Sequence, residues 1–329
     1  MRISRLAFWL VLLLALGAPS LAVAWRWWEL RGEVVELHAS MPTSGGWEPA
    51  SIRMPVGENL RLRLTSDDVL HGFAIGQSTF PEIDLYPGKP VETTLHFNQP
   101  GKYTYYCTRW CGVDHWRMRG TIEVTGDAAP QQEVAEQPLY LSLGLDIDAP
   151  HPATVLPEQR PSAKRGAALG VHLPEKYLSQ DYYRSHSPEQ VWRDLRSESL
   201  IQRMDDQQVW DLVALVWQSN DSPQAAETAK GLFASNCAAC HGETGSGDGV
   251  FAHTPGSHAA NADMQMLKPP ADFTDAAQML GASPAVLHGK IVRGGMGTGM
   301  PYWGPIFTDE QIWELVNSLY RFQFDYEGE

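Results

Sequence analysis

The chain opens on an apolar run from Leu6 to Trp25, behind the basic start Met-Arg-Ile-Ser-Arg. As a helix, a run of that length spans a bilayer, and Arg2 and Arg5 would keep its N-terminus inside. Gly17, Pro19 and Ala22-Val23-Ala24 equally read as the end of a cleaved signal peptide. Residues 1–25 are expected to be a membrane anchor or a signal, and both export the remainder of the chain. The pattern then becomes alternating. Leu60-Arg-Leu-Arg-Leu places an apolar residue at every second position and predicts a half-buried strand, which Asp68-Val-Leu-His-Gly-Phe is expected to end. Lys102 to Cys107, bounded by Pro100-Gly101, predicts another strand, and Thr121-Ile-Glu-Val-Thr a last one. Toward the C-terminus the period lengthens. Ala225 to Ser235 predicts a helix, with Gly231, Leu232 and Phe233 near its end. Residues 309–322 predict a second helix, with Ile312, Leu315, Val316 and Leu319 at helical spacing behind a Thr308/Gln311 capping box.

Between these halves, 127–138 is polar and proline-rich and reads as a linker. The stretch 139–219 repeats the C-terminal helical pattern. Pro174 aligns with Pro270, Ser187-Pro-Glu-Gln-Val-Trp with Ser283-Pro-Ala-Val-Leu-His, and Asp206-Gln-Gln-Val-Trp with Asp309-Glu-Gln-Ile-Trp. The first copy is shorter where the second has Gly299-Met300-Pro301. The expected organisation is 1–25 anchor or signal, 29–126 β domain, 127–138 linker, 139–219 helical unit and 224–323 helical domain. The alternative for 139–219 is a plain pair of amphipathic helices.

Composition adds little until charge is placed. The net charge is −14, most of it beyond residue 126. An acidic face steers a basic protein partner or simply keeps the chain soluble, and it does not favour nucleic acid. No Ser/His/Asp constellation, phosphate-cradling glycine loop or paired-carboxylate motif occurs.

The chemistry lies in the four cysteines. Cys107, Cys111, His115 and Met118 fall within twelve residues, and His71 stands upstream. Thiolate and thioether are soft donors, and with imidazole they select copper. A mononuclear blue-copper site uses one cysteine, so a second thiolate is left over unless two coppers share both. A structural disulfide or a zinc site are the alternatives for this pair. Cys237-Ala-Ala-Cys240-His241 is the attachment signature of c-type haem, with His241 as the proximal iron ligand. The alternative is zinc, but no second cysteine pair stands nearby to complete it. His253 and His258 follow the haem motif in a Gly/Ser/Ala-rich segment and read as solvated loop residues, a second metal site being the alternative, and the other histidines carry no ligand spacing.

The first motif resembles the CuA domain of haem–copper oxidase subunit II, which nitrous oxide reductase also carries. That resemblance implies a cupredoxin sandwich over 29–126. It implies a dinuclear copper held by the side chains of His71, Cys107, Cys111, His115 and Met118 and the backbone carbonyl of Arg109. The second motif and its flanks resemble a class I cytochrome c, which implies that the first and last helices cross and that Gly231 lets them approach closely. It also implies one covalent haem c on Cys237 and Cys240, with His241 and Met300 on the iron and Met296 as the other methionine in position. By the same resemblance 139–219 is a cytochrome c-like domain without haem. The whole resembles subunit II of caa-type cytochrome c oxidase, an all-β domain followed by all-α cytochrome c-like domains behind an N-terminal hydrophobic helix.

The resemblance implies an electron-entry subunit in the inner membrane with its domains on the periplasmic side. A soluble cytochrome c or a quinol-oxidising complex would be its donor, and a haem–copper catalytic subunit I its acceptor. The same role in a CuA-containing nitric oxide reductase, or a stand-alone periplasmic carrier, are the other readings. Two departures are expected to matter. At most one transmembrane segment is present, as in ba-type subunits. Val34-Val-Glu-Leu-His-Ala-Ser-Met-Pro also stands where many subunit II chains have a tryptophan-rich strand.

Overall fold

The computed structural model describes residues 34–112, 114–126, 137–252, 269–295 and 299–327, together with Ser20. Nine strands form two sheets: β1 (Val34–Ala39), β2 (Trp47–Glu48), β3 (Ser51–Pro55), β4 (Asn59–Ser66), β5 (His71–Ile75), β6 (Ile83–Leu85), β7 (Val91–His96), β8 (Gly101–Tyr106) and β9 (Arg119–Thr125). One sheet has the order β2-β1-β4-β7 and the other β3-β9-β8-β5-β6. The pairs β1/β4 and β3/β9 are parallel and the remaining pairs antiparallel.

The alternation read from the sequence sets which faces meet. Leu60, Leu62 and Leu64 point inward from β4, with Leu37, Phe73, Tyr105, Ile122 and Val124 among the residues completing the core. The arginines between the leucines of β4 reach outward to Glu92 and Glu36. One expectation fails in register. The Asp68-Val-Leu-His segment does not end a strand: the chain turns at 67–70, and His71 opens β5. Serine and aspartate side chains in that turn bond its backbone, Ser66 donating to the Val69 carbonyl and Asp68 accepting from Val69 N–H, which ends β4 before His71.

The helical half comes next. Its principal helices are Pro188–Ser197, Asp206–Ser219, Pro223–Asn236, Pro284–Arg293 and Asp309–Leu319. The repeated sequence pattern is repeated as structure. Ser187 and Ser283 each cap a helix that has proline in its first turn. The helices Asp206–Ser219 and Asp309–Leu319 each begin in a capping box, from Asp205 with Gln208 and from Thr308 with Gln311. The two helical units share one continuous core. Trp217 of the first packs edge-on against Tyr320 of the second, and Tyr183 donates to the Asn317 carboxamide at 2.5 Å. The C-terminal tail closes the first unit: Asp325 exchanges backbone hydrogen bonds with Pro161 and Ala163.

The close-approach glycine is not where it was expected. The helices Pro223–Asn236 and Asp309–Leu319 do pack together, but a Cβ at Gly231 would meet nothing within 4 Å, so its face is open. The tight approach belongs to the first unit, where a Cβ on Gly166 would lie 2.2 Å from the Asp211 carbonyl oxygen. Among the described residues no helix is long and apolar enough to cross a membrane. The apolar run expected to be an anchor lies outside the described residues, as do Met296, His253, His258 and nearly all of the 127–138 linker.

Candidate functional site

The six positions expected around copper converge at one end of the sandwich, from three separate chain segments. His71 begins β5, Cys107 follows β8 directly, and His115 and Met118 flank a 3₁₀ turn, His115–Arg117, between Cys111 and β9. The loop leaves β8 and rejoins β9 at one point, because Cys107 N–H donates to the Met118 carbonyl at 3.1 Å. Asp114 takes the left-handed conformation (φ 62°) at the head of the 3₁₀ turn, a conformation aspartate tolerates better than most residues. The chain can therefore reverse there and bring His115 and Met118 back beside Cys111. Gly72 lets the loop sit against β5: a Cβ there would lie 2.0 Å from Thr108 Oγ1. Its N–H donates to Cys107 Sγ at 3.5 Å.

The donor atoms lie close together and are buried. Cys107 Sγ is 3.9 Å from Cys111 Sγ, 3.7 Å from His71 Nδ1 and 3.2 Å from the Arg109 carbonyl oxygen. Cys111 Sγ is 3.5 Å from His115 Nδ1 and 3.7 Å from Met118 Sδ. The sulfurs are far beyond the ~2 Å of a disulfide, and both cysteines are free. Donors each about 2.3 Å from a common ion at tetrahedral angles stand close to these separations. His71, Cys107 and Cys111 alone form a buried group able to hold a metal ion. The two thiols are coupled: contact with Cys111 draws the Cys107 pKa down, while contact with Cys107 and burial push the Cys111 pKa up.

Residues that sequence patterning did not single out hold the donors in place. Asp68 Oδ1 lies 2.7 Å from His71 Nε2, so the ring turns Nδ1 toward the sulfurs. Burial alone would lower the His71 pKa, but the bonds to Cys107 and Asp68 raise it. Burial likewise works to raise Asp68, which is nonetheless held low by Met41 N–H, the His71 ring and Val69 N–H. Trp47 Nε1 donates to the Met118 carbonyl at 3.0 Å from inside the core. The Arg109 side chain points away from the cluster to Glu82 and Asp84, at 2.5 and 2.8 Å, so only its carbonyl faces the sulfurs. The Asp68-Val-Leu-His spacing was a usable signal for Asp68. Trp47 comes from β2 and had none.

The haem motif lies on the turn after the helix Pro223–Asn236. Cys237 and Cys240 are free and half-buried. Burial, reinforced by Cys240, pushes the Cys237 thiol up to about 12, and burial also raises Cys240. His241 Nδ1 is 3.0 Å from the Ala271 carbonyl, and its ring stacks on Phe273 at 4.6 Å. Nδ1 must carry the proton to make that bond, leaving Nε2 bare as a ligand. Burial lowers the His241 pKa against that bond, which keeps the ring neutral. Phe233, Phe273 and Phe322 form an aromatic wall beside it. Neutral thiols, a bare imidazole nitrogen and an aromatic wall suit a covalently held porphyrin. Met300 packs at the edge of the same core, its carbonyl accepting from Gly295 N–H at 3.1 Å. His38, His96, His151, His186 and His288 are engaged with Asp67, Asn59, Asp146, Tyr182 and Asp309.

Comparison with known proteins divides the chain along the same lines. Residues 49–125 match the family described as cytochrome C oxidase subunit II, periplasmic domain, and residues 224–317 match that described as cytochrome C oxidase, cbb3-type, subunit III. Cytochrome c oxidase subunit 2 of Thermus thermophilus is 35% identical over 79 residues, covering 24% of this chain and 58% of the relative. The probable cytochrome c oxidase subunit 2 of Rickettsia bellii is 36% identical over 73 residues, covering 22% of this chain and 27% of that protein. The chain thus spans less than two thirds of the length of either relative. The periplasmic domain of subunit II of cytochrome oxidase (CoxB) of Bradyrhizobium japonicum, a solved structure, is 24% identical over 29% of this chain and 84% of that one, with a TM-score of 0.24. The first matched range contains all six positions of the sulfur cluster. The second contains Cys237, Cys240, His241 and Met300. The β half is therefore subunit II-like and the C-terminal helices cytochrome c-like, with the first helical unit outside both matches.

Proposed function

We propose that this chain is the electron-entry subunit of a haem–copper terminal oxidase, of the subunit II type with a fused cytochrome c. The observation that carries this reading is the paired arrangement of the sulfur cluster. Two thiols stand side by side, each with its own histidine, and a thioether and a carbonyl oxygen complete the set. A single ion would leave part of that set unused. His71, Cys107, Arg109 (through its carbonyl), Cys111, His115 and Met118 would hold two coppers. Cys237 and Cys240 would carry one haem c, with His241 and Met300 on its iron.

When bound, these groups supply one-electron redox chemistry. The chain's own residues supply binding and orientation. Asp68 and Ala271 fix the tautomers of His71 and His241. Trp47 holds the Met118 turn, and the sandwich core keeps water from the thiolates. In this reading oxygen reduction belongs to a partner, a haem–copper catalytic subunit in the membrane. A soluble cytochrome c or a quinol-oxidising complex would be the donor. The soluble halves would face the periplasm, anchored through the N-terminal apolar run.

The test is purification from membranes under mild detergent, with metals and haems counted and oxygen uptake assayed. The reading expects two coppers and one haem c per chain, together with a second subunit that carries further haem and consumes oxygen. Nitric oxide uptake in place of oxygen uptake would move the chain to a reductase. A stable chain with no haem-bearing partner would make it a free-standing carrier.

A further inference from the structure

The β half and the second helical unit meet along a strip that runs from Arg119, next to Met118 of the copper loop, to Gly76 and Gln77 beyond the last residue of β5. The contact is made by the segment Tyr302–Phe307, directly after Met300 and Pro301. Gln77 N–H donates to the Ile306 carbonyl at 3.0 Å, and the Gln77 side chain donates to the Gly304 carbonyl. Gly76, buried at the end of β5, makes room for this. A Cβ on it would stand 2.2 Å from the Pro305 carbonyl oxygen and 3.1 Å from Ile306 Cα. Both are backbone atoms, which cannot swing aside. Arg119, the first residue of β9, donates from Nη1 to the Tyr302 carbonyl at 2.8 Å. Its guanidinium lies over the Tyr302 ring at 5.2 Å and the Trp303 ring at 5.1 Å.

The seat has a consequence for the two redox sites. Cys107, His115 and Met118 line a small cleft together with Trp303 and Asn236. Asn236 immediately precedes the haem-attachment cysteine Cys237. Trp110 leans from the copper loop onto Phe251, ring to ring at 4.7 Å. Copper ligands, Trp303 and the residue before the haem-attachment cysteines therefore border one cleft.

We propose that Gly76 and Arg119 are positioning residues for electron transfer within the chain. They seat the Tyr302–Phe307 segment so that Trp303 bridges the haem-attachment turn and the copper ligands. This rests on the electron-entry reading above. With haem iron on His241 and copper on Cys107 and Cys111, each event would pass one electron from ferrous iron to the copper pair, with no bond broken and no proton moved, and the chain's own part would be to hold Trp303 at the shared cleft.

The experiment uses the full chain in two states. In the metal-loaded protein, flash-initiated reduction of the haem is followed by the rate at which the copper absorbance changes. In the metal-free protein, hydrogen exchange at the Gln77 amide reports the seat itself. Gly76 does not use the left-handed region, so Gly76→Ala suits the backbone of the sandwich while clashing with the seat. It should release the Gln77 amide to exchange and slow the transfer roughly tenfold or more, with both metal spectra unchanged. Arg119→Gln should do the same to a lesser degree, because the Gln77 and Gly76 contacts remain. Trp303→Leu should slow transfer while leaving the Gln77 amide protected. Loss of Gln77 protection in Gly76→Ala with an unchanged rate would overturn the proposal, as would an unprotected Gln77 amide in the parent chain. A parent chain that keeps Gln77 protected but binds no copper pair would instead overturn the electron-entry reading.

Discussion

The copper end of the sandwich and the haem turn of the helical half are both cysteine–histidine sites, built on opposite plans. At the copper end the donors are already assembled. All six donor groups lie within 3.2–3.9 Å of a cysteine sulfur, and His71, Cys107, Cys111, His115 and Met118 are all buried. The sheets hold them through β5, β8 and β9, whose cross-strand bonds do not depend on metal. At the haem turn, Cys237, Cys240 and His241 are only half-buried and lie beside an aromatic wall. A metal can be added to a site whose donors are packed by the rest of the core. A large planar group must itself be part of the core, so the residues that attach it sit at the edge of the packed side chains, not among them. The first helical unit shows the alternative. It has no haem motif, and Trp210, Trp217, Tyr177 and Tyr183 fill its interior almost completely.

The largest expected effect would break the paired-thiol half of this comparison. Cys111→Ser should abolish the delocalised dicopper spectrum altogether while leaving the haem c spectrum intact. A surviving delocalised signal would mean that the second thiolate does not bridge. Next, a Cys237→Ser/Cys240→Ser chain should lose covalent haem and destabilise the helical half by on the order of 3 kcal/mol in denaturant titrations. The copper-binding half should unfold as before. Equal losses in both halves would contradict the two plans. A smaller change is expected from Asp68→Asn, which leaves all copper donors in place but weakens the hold on His71. Copper affinity should fall about 10- to 100-fold, measured by competition with a chelator.

The smallest effect concerns His288. It is buried against Trp313 at 4.1 Å and pairs with Asp309 at 2.8 Å. Burial, partly opposed by Asp309, holds its pKa below the ordinary 6.5. The neutral ring is what the fold favours, so its contribution is present above pH 6.5 and is lost as pH falls from there through the lower folded value. His288→Gln should flatten the stability curve of the helical half on the acid side. An unchanged curve would place the acid sensitivity elsewhere.

Much of this was legible in the residue pattern. Alternation located β4, β8 and β9, because a sandwich buries one face of each strand. The capping box at Thr308 fixed a helix start, because its side chain satisfies backbone N–H groups locally. The copper-loop spacing brought five side chains to one place because a single loop carries four of them. Three things were not legible. Asp68 and His71 lie in a turn and at a strand start, not at a strand end, because Ser66 and Asp68 bond that turn's backbone. Gly231 has no close neighbour whereas Gly166 does, since a glycine's role depends on which helix face meets its partner. The bonds made by the Trp47, Gln77 and Arg119 side chains span 71, 227 and 183 residues of sequence. No local pattern encodes such contacts.

The central claim is that two thiolates hold two coppers as one unit, in a chain that also carries haem c. Electron paramagnetic resonance of the oxidised, membrane-extracted protein tests it most directly. The account predicts a multi-line copper signal from one unpaired electron shared equally by two nuclei, beside a low-spin haem signal. A signal from a single isolated copper, or no copper signal with both Cys107 and Cys111 titrating as free thiols, would contradict it.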